Sequence, residues 1–404
     1  MSIASDPSQP VFRLSMLVND TRYRGITFQI IAFLAIVLLF GWMAWNAAVN
    51  LAALGQDISF GFLGEPAGYD INQQLIPFES TDTHMRAAWV GVMNTLLVAF
   101  LGCITATVIG VLVGILRLSK NWLVARLMSV YVEIFRNVPV LIWILIIFSV
   151  MANAMPAPSA FRGDEPTATM LFGAFAFTNR GVYVPAPVWE AGSSLVVVVF
   201  LMSIAGILAV RGWSVRLLYD TGRELPVLPI SLALFFIPTL VAFYALGQPI
   251  SLDYPELRGF NFQGGVTVRG SLIGLWFALA LYTGAFIAEN VRAGIMAVSK
   301  GQTEAAAALG IRPNRIMSLV VLPQALRVII PPLISQYLNL TKNSSLAAAV
   351  GYMDITGTLG GITLNQTGRS FEAILLLMLF YLIISLSIAA VMNLYNNAVK
   401  LKER

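Results

Sequence analysis

Only 11% of the 404 residues are charged, against 58% that are hydrophobic, and the mean hydropathy is +0.79. A soluble domain carries about 25% charged residues. Two or three soluble domains of this total length would lack the polar surface to stay in water. The excess of 25 Lys and Arg over 20 Asp and Glu is small and scattered, so disorder and nucleic-acid binding are both disfavoured. The single cysteine, Cys103, excludes a disulfide framework and a cysteine-built metal cluster. The single histidine, His84, reads as an exposed residue of a polar loop, with no second imidazole to share a metal. Five lysines are present (Lys120, Lys300, Lys342, Lys400 and Lys402), and none completes a G-x-x-x-x-G-K-[ST] phosphate loop. If nucleotide powers this chain, another chain binds it. No catalytic residue, metal ligand or cofactor motif emerges.

Long apolar runs are what the sequence has in abundance. About 20 mostly apolar residues cross a hydrocarbon layer of about 30 Å. Eight segments meet that length, near 26–50, 88–116, 129–151, 188–210, 228–247, 270–291, 322–342 and 372–396. Pro323, Pro331 and Pro332 interrupt the start of the seventh. The first is too long for a signal-peptide core and follows 25 residues, so it reads as an uncleaved anchor. The chain is expected to be all-α, a polytopic membrane protein with about eight spans.

Basic residues set the orientation. With the N-terminus cytoplasmic, one set of loops holds 17 of the 25 Lys and Arg, among them Arg13, Arg22, Arg24, Arg211, Arg216, Arg223, Lys400, Lys402 and Arg404. The opposite loops hold six: Arg86, Arg162, Arg180, Arg258, Arg269 and Arg369. Arg136 and Lys342 fall within or at the edge of spans. The asymmetry holds only for an even number of spans, which places both termini inside. The outer loops 51–87, 152–187 and 248–269, rich in Pro, Gly and acids, read as compact caps.

Within the spans, Gly102, Ala106, Gly110 and Gly114 form one small face. The sixth span repeats the pattern at Gly270, Gly274 and Ala278, then at Ala280, Gly284 and Ala288. Such faces let helix backbones approach closely in lipid. Glu133 and Arg136, three apart, suit a local ion pair, and Glu289 and Asn290 sit near an inner interface. The polar run Asn339-Leu340-Thr341-Lys342-Asn343-Ser344-Ser345 suits two placements equally. Either it lies at membrane depth against a cavity, or it has left the membrane as a loop.

The longest cytoplasmic connection, about 292–321, contains Gly301-Gln302-Thr303-Glu304-Ala305-Ala306-Ala307-Ala308-Leu309-Gly310. Thr303 or Gln302 can open a short helix, with Glu304 in its first turn and Gly310 ending it. A second helical stretch starts at Pro313 and leads to Leu322-Pro323. Its small-residue face beside a lone acid suits docking into the groove of another protein.

The string Glu304-Ala305-Ala306-x-x-x-Gly310, nine residues, then Val320-x-Leu322-Pro323, resembles the EAA-x3-G-x9-I-x-L-P loop of ABC importer permeases, with Val for Ile as the one departure. The segments 285–294, Lys300-Gly301-Gln302, 323–327 and Lys342-Asn343-Ser344-Ser345-Leu346 resemble the polar-amino-acid permeases of that class. So do Asn94-Thr95-Leu96, Ala125-Arg126-Leu127 and 132–139. The similarity covers about 88–150 and 270–400. The extra N-terminal span, the inserted two-span hairpin (188–210 and 228–247) and the 77–83 region are similar to the larger, first-encoded permease subunits of general L-amino-acid uptake systems in Gram-negative bacteria.

This resemblance implies a five-helix type I importer core, interrupted by 152–269 and preceded by 1–87. It implies an inner-membrane permease for polar L-amino acids of broad specificity, working by alternating access. Gly301, Glu304, Ala305, Ala306, Gly310 and Pro323 would couple it to a cytoplasmic ATP-binding subunit dimer. Asn339, Lys342, Asn343, Ser344 and Ser345 would lie near the substrate path. A second homologous permease and a periplasmic amino-acid-binding protein would complete the assembly. Two positions depart from the family: Asn343, where cation-selective relatives often have an acid, and Trp143, where Gln is frequent. The rival reading is an ion-coupled secondary amino-acid transporter, which should show an internal repeat; the halves show none.

Overall fold

The structure is a computed structural model that describes residues 15–399, apart from 54, 56, 164 and 224. Arg13, Lys400, Lys402 and Arg404, all used in the charge count, lie outside the described residues. The chain forms two units, Met1–Glu65 and Pro66–Arg404. In the first, a short α1 (Met16–Asn19) leads into α2 (Thr21–Ala53), whose apolar stretch is long enough to span a bilayer.

The second unit contains α3 (His84–Leu116), α4 (Trp122–Asn137), α5 (Val140–Ala154), α6 (Ser193–Thr221) and α7 (Val227–Ala245). It continues with α8 (Gly270–Met296), α9 (Lys300–Ala308), α10 (Pro313–Ile316), α11 (Leu322–Asn343), α12 (Leu364–Thr367) and α13 (Ser370–Val399). Among the described residues, seven helices are long and apolar enough to cross a membrane, or eight if α4 and α5 count as one bent span. The third expected segment, 129–151, is therefore not a single rod. Its two helices meet at 108°, because Pro139 offers no amide donor and forces Val138 into an extended backbone (φ −109°, ψ 133°). By contrast α11 runs without a break through Pro331 and Pro332.

Helix α8 is the hub, packed against α3, α4, α5 and α11. Its contact with α3 is the most extensive between helices among the described residues, and the expected small faces meet there. A Cβ on Gly114 would lie 2.8 Å from the Ala288 carbonyl oxygen, and one on Gly110 would lie 3.0 Å from that of Gly284. Gly274 of α8 meets Phe148 of α5 in the same way, and Gly102 of α3 meets Leu340 of α11. The core around this crossing includes Val98, Ala106, Leu275, Leu279, Ile287 and Leu340, all buried.

Seven short strands, which the hydropathy pattern does not reveal, organise the caps. They are β1 (Ala176–Thr178), β2 (Gly181–Val184), β3 (Ala186–Trp189), β4 (Ile250–Asp253), β5 (Glu256–Arg258), β6 (Asn261–Gln263) and β7 (Val266–Arg269). They pair antiparallel as β1-β2-β7, β3-β4 and β5-β6. Loops 152–187 and 248–269, on either side of the α6–α7 hairpin, thus close into one cap, and β7 runs directly into α8. The hairpin helices pack chiefly on each other.

Two side chains differ from expectation. His84 is buried at the start of α3, its Nδ1 3.0 Å from Thr363 Oγ1. Glu133 and Arg136 do not pair. Glu133 accepts from Asn137 Nδ2 at 3.2 Å, while the Arg136 guanidinium lies over the Phe286 ring, 5.3 Å from its centroid.

Candidate functional site

The connection from α8 to α11 is built as two short helices about a glycine turn. Helix α9 begins at Lys300 with Ser299 at its N-cap, upstream of the expected Gln302 or Thr303. The Thr303 hydroxyl donates to the Lys300 carbonyl at 2.6 Å. Glu304 consequently lies beyond the first turn and does not cap the helix; it is exposed and forms no ion pair among the described residues. At the other end Gly310 N–H donates to Ala307 O at 2.9 Å, and Ile311 N–H to Ala306 O at 3.3 Å. This is a Schellman closure, which requires a left-handed residue at the turn. Gly310 supplies it with φ +75° and has open space around its α-carbon.

Below α9, the buried side chains of Ala306, Ile316 and Val321 pack with Ile295, Val298, Ile311 and Val320. Val320, the one departure from the EAA pattern, fills this cluster. Residues Met317–Val321 form a wide π-helical turn. Pro323 follows in the first turn of α11 and has no N–H to return to the carbonyl four residues back. Only Ala306 of the alanine run is turned inward; Ala305, Ala307 and Ala308 are exposed with Gly301, Glu304 and Gly310. Leu309, which the pattern reading passed over, is 80% exposed at the tip. The signal for it was an apolar residue placed immediately before the helix-ending glycine. The surface offered is mostly small residues, with Lys300, Gln302, Glu304 and Leu309 as its larger exposed side chains.

An ionic cluster holds the base of this loop. Glu289 of α8 accepts from Arg117 at the end of α3 and from Arg292, whose Nη2 lies 2.5 Å from Oε1. Arg117 also donates to Ser129 Oγ of α4 at 3.3 Å. Three helices are thereby tied near the end of α8 that leads to α9. Glu289, expected as an interfacial residue, is the acceptor at the centre.

The other predicted group lies elsewhere. Residues 339–345 do not form a loop: α11 continues to Asn343 and passes into the 3-10 turn Ser344–Val350. Asn339, Lys342 and Asn343 share one face at helical spacing. Ser344 is on the other side, buried, its hydroxyl donating to Thr341 O at 2.7 Å; Ser345 donates to Lys342 O at 2.8 Å. The 22 residues of α11 span about 33 Å at 1.5 Å per residue. Gly301, Glu304, Ala305, Ala306, Gly310 and Pro323 are therefore gathered at one end of α11, and the polar face is at the other.

Near that other end, Asn94 Nδ2 donates to the Gln73 and Met353 carbonyls at 2.7 and 2.8 Å, and Ile355 N–H donates to Thr95 Oγ1 at 3.2 Å. The buried Asp354 accepts from Gly357 N–H at 2.9 Å and from the Tyr381 hydroxyl at 3.1 Å. This clamp fixes the turn between α11 and α13. Burial pushes the Asp354 carboxyl up to about 6. Trp143 stacks on Phe135, with ring centroids 4.2 Å apart, and its buried indole N–H has no partner among the described residues.

Residues 201–401 match the model of the binding-protein-dependent transport system inner membrane component. Over its full length the chain is 52% identical to all of the glutamate/glutamine/aspartate/asparagine transport system permease protein BztB of Rhodobacter capsulatus. It is 42% identical to the general L-amino acid transport system permease protein AapQ of Rhizobium johnstonii, over 97% of this chain and 96% of that one. A putative amino-acid ABC transporter permease protein of Escherichia coli, YhdX, is also 42% identical, over 96% and 98% of the two chains. The chain belongs to the amino-acid ABC transporter permeases. It is a multi-pass subunit of an inner-membrane importer, and ATP hydrolysis resides in a separate subunit; nothing supports the ion-coupled alternative.

Proposed function

We propose that α9 is the coupling helix of this permease, docking in a groove of the ATP-binding subunit through Gly301, Glu304, Ala305 and the exposed Leu309. The observation that carries this reading is the exposed small face of α9, set on a packed base tied to three spans. With no ion-pair partner among the described residues, Glu304 is free to meet a basic group in the groove. Closure of two ATP-bound subunits would draw both docked helices together. Because α9 is seated on the ends of α8 and α11, its displacement would tilt those spans between outward-open and inward-open states.

The second half of the translocator is a homologous permease rather than a second copy of this chain, and a periplasmic binding protein delivers the amino acid. Both termini face the cytoplasm, a reading supported by the basic loops when α4 and α5 count as one bent span. The polar face Asn339, Lys342 and Asn343, with Ser344 and Ser345 behind it, borders the path. A neutral amide at 343 favours no cation, which suits broad specificity for polar L-amino acids.

ATP-dependent uptake into vesicles containing the whole assembly tests the coupling role. Gly310→Asp is expected to abolish uptake; intact ATP-driven uptake in that variant removes α9 from the coupling role. Asn343→Asp is expected to raise uptake of basic relative to neutral amino acids, and unchanged selectivity removes Asn343 from the path.

A further inference from the structure

The N-terminal end of α8, opposite the coupling loop, borders a cavity of about 200 Å³ that none of the roles above uses. Asn72, Gln73, Asn179, Arg180, Arg269 and Ser271 line it together with residues 351–353. Its polar groups divide into two kinds. Arg180 donates to the Phe260 carbonyl at 3.4 Å and Arg269 to the Asn72 carbonyl at 3.1 Å. Both acceptors are neutral, and no carboxylate lines the chamber or pairs with either arginine among the described residues. Arg269 also occupies the N-cap of α8 without a side-chain cap, so the first-turn amides add to the positive side. The second kind is a pair of acceptors. Gln73 Oε1 and Asn179 Oδ1 are buried with no hydrogen-bond partner among the described residues, a condition that native structures rarely leave unanswered.

Two guanidinium groups and two orphaned carbonyl oxygens around one small chamber are complementary to a single solute class. We propose that this chamber is an entry site for a free L-amino acid of zero or negative net charge. Its carboxylate is held on the Arg180–Arg269 side, and its ammonium group donates to Gln73 and Asn179. A simple anion would leave the two carbonyls unanswered, and a cationic amino acid would bring excess positive charge against two arginines. Arg180 and Arg269 both belong to the β1-β2-β7 cap, so the inserted loops make the site and the helical core alone does not.

The proposal rests on the orientation given above, in which this end of α8 faces outward, and two measurements separate the two claims. The first is labelling of Asn72→Cys in intact cells by a membrane-impermeant maleimide, with the parent chain carrying only Cys103 as reference. Labelling from outside is expected. Labelling only after the membrane is opened overturns the orientation, and the entry site with it. The second is the uptake ratio of L-glutamate to L-glutamine, near-isosteres that differ by one negative charge, in proteoliposomes of the complete importer. A ratio within one preparation does not depend on how much variant folds, and the binding protein is the same throughout. Asn179→Asp and, independently, Gln73→Glu are expected to lower the ratio at least fivefold. Arg269→Gln is expected to lower it about threefold and Arg269→Lys to restore it. Outside labelling with an unchanged ratio in all four variants overturns the entry site and leaves the orientation standing.

Discussion

Helix α8 and the α6–α7 hairpin are all apolar enough to span a membrane, yet they occupy opposite environments. In the most apolar stretch of α8, 61% of residues are buried inside the protein; for α6 the share is 17% and for α7 it is zero. Average hydropathy does not separate them, because lipid and a protein interior are equally apolar. The texture of small residues does. Gly274, Gly284 and Gly294 of α8 are each crowded by a neighbouring helix, whereas Gly212 of α6 has open space and Gly206 only grazes Leu234. A glycine in a span is a packing signal where a neighbouring helix closes on it, which mean hydropathy does not report.

This contrast breaks most visibly where the two backbones touch. Gly110→Leu forces a branched side chain against the Gly284 carbonyl, and the α3–α8 contact cannot widen without moving the whole core. Overpacking typically costs about 1–3 kcal/mol, and here we expect loss of assembled permease, read as the membrane-extracted complex on size exclusion. A normal yield would show that the crossing is looser than it is drawn. Next in size is Gly310→Val at the tip of α9. The left-handed turn then costs about 1–2 kcal/mol, so we expect the complex to assemble but ATP-driven uptake to fall more than tenfold.

A smaller effect is expected at the clamp between α11 and α13. Burial raises the Asp354 carboxyl from its ordinary value to about 6. The folded state therefore binds its proton more tightly than the unfolded chain does. The stabilisation is complete below the unfolded value and is lost as pH rises through about 6. The midpoint of thermal unfolding should accordingly rise between pH 7 and pH 5, and Asp354→Asn should flatten that rise; an equal slope in both would show that another group titrates. The smallest effect is at the hairpin. Gly206→Leu should leave yield and uptake within the range of a surface change, about 0.5 kcal/mol. A loss comparable to that of Gly110→Leu would mean that the hairpin is a packed part of the transporter.

Much of this architecture was legible in the chain. Seven of the eight expected segments match helices of suitable length, and the EAA string marks α9 and its glycine turn. What misled the reading was local. Pro139 turned one expected span into two helices at 108°, since periodic hydropathy continues across a bend. Glu304 was expected in a first turn that in fact begins at Lys300, with Ser299 at the N-cap position and no side-chain capping bond to mark the start. Arg136 was paired with the nearest acid in sequence, but a ring on another helix, Phe286, took it. The strands of the cap went unseen because each is three or four residues long, too short for a period of two to register.

Composition alone determined that the chain lives in a membrane, since too few charged residues are present to cover a soluble surface. A long motif of fixed spacing determined its family, because helix starts, turns and prolines are set by neighbours in the chain. The chamber beside α8 was decided otherwise. Gln73 and Arg269 are far in sequence from the adjacent Asn179 and Arg180, and the pairing of β2 with β7 across the hairpin brings the two arginines to one cavity. Local propensity carries no record of such a closure, because the energy that holds it comes from contacts between segments.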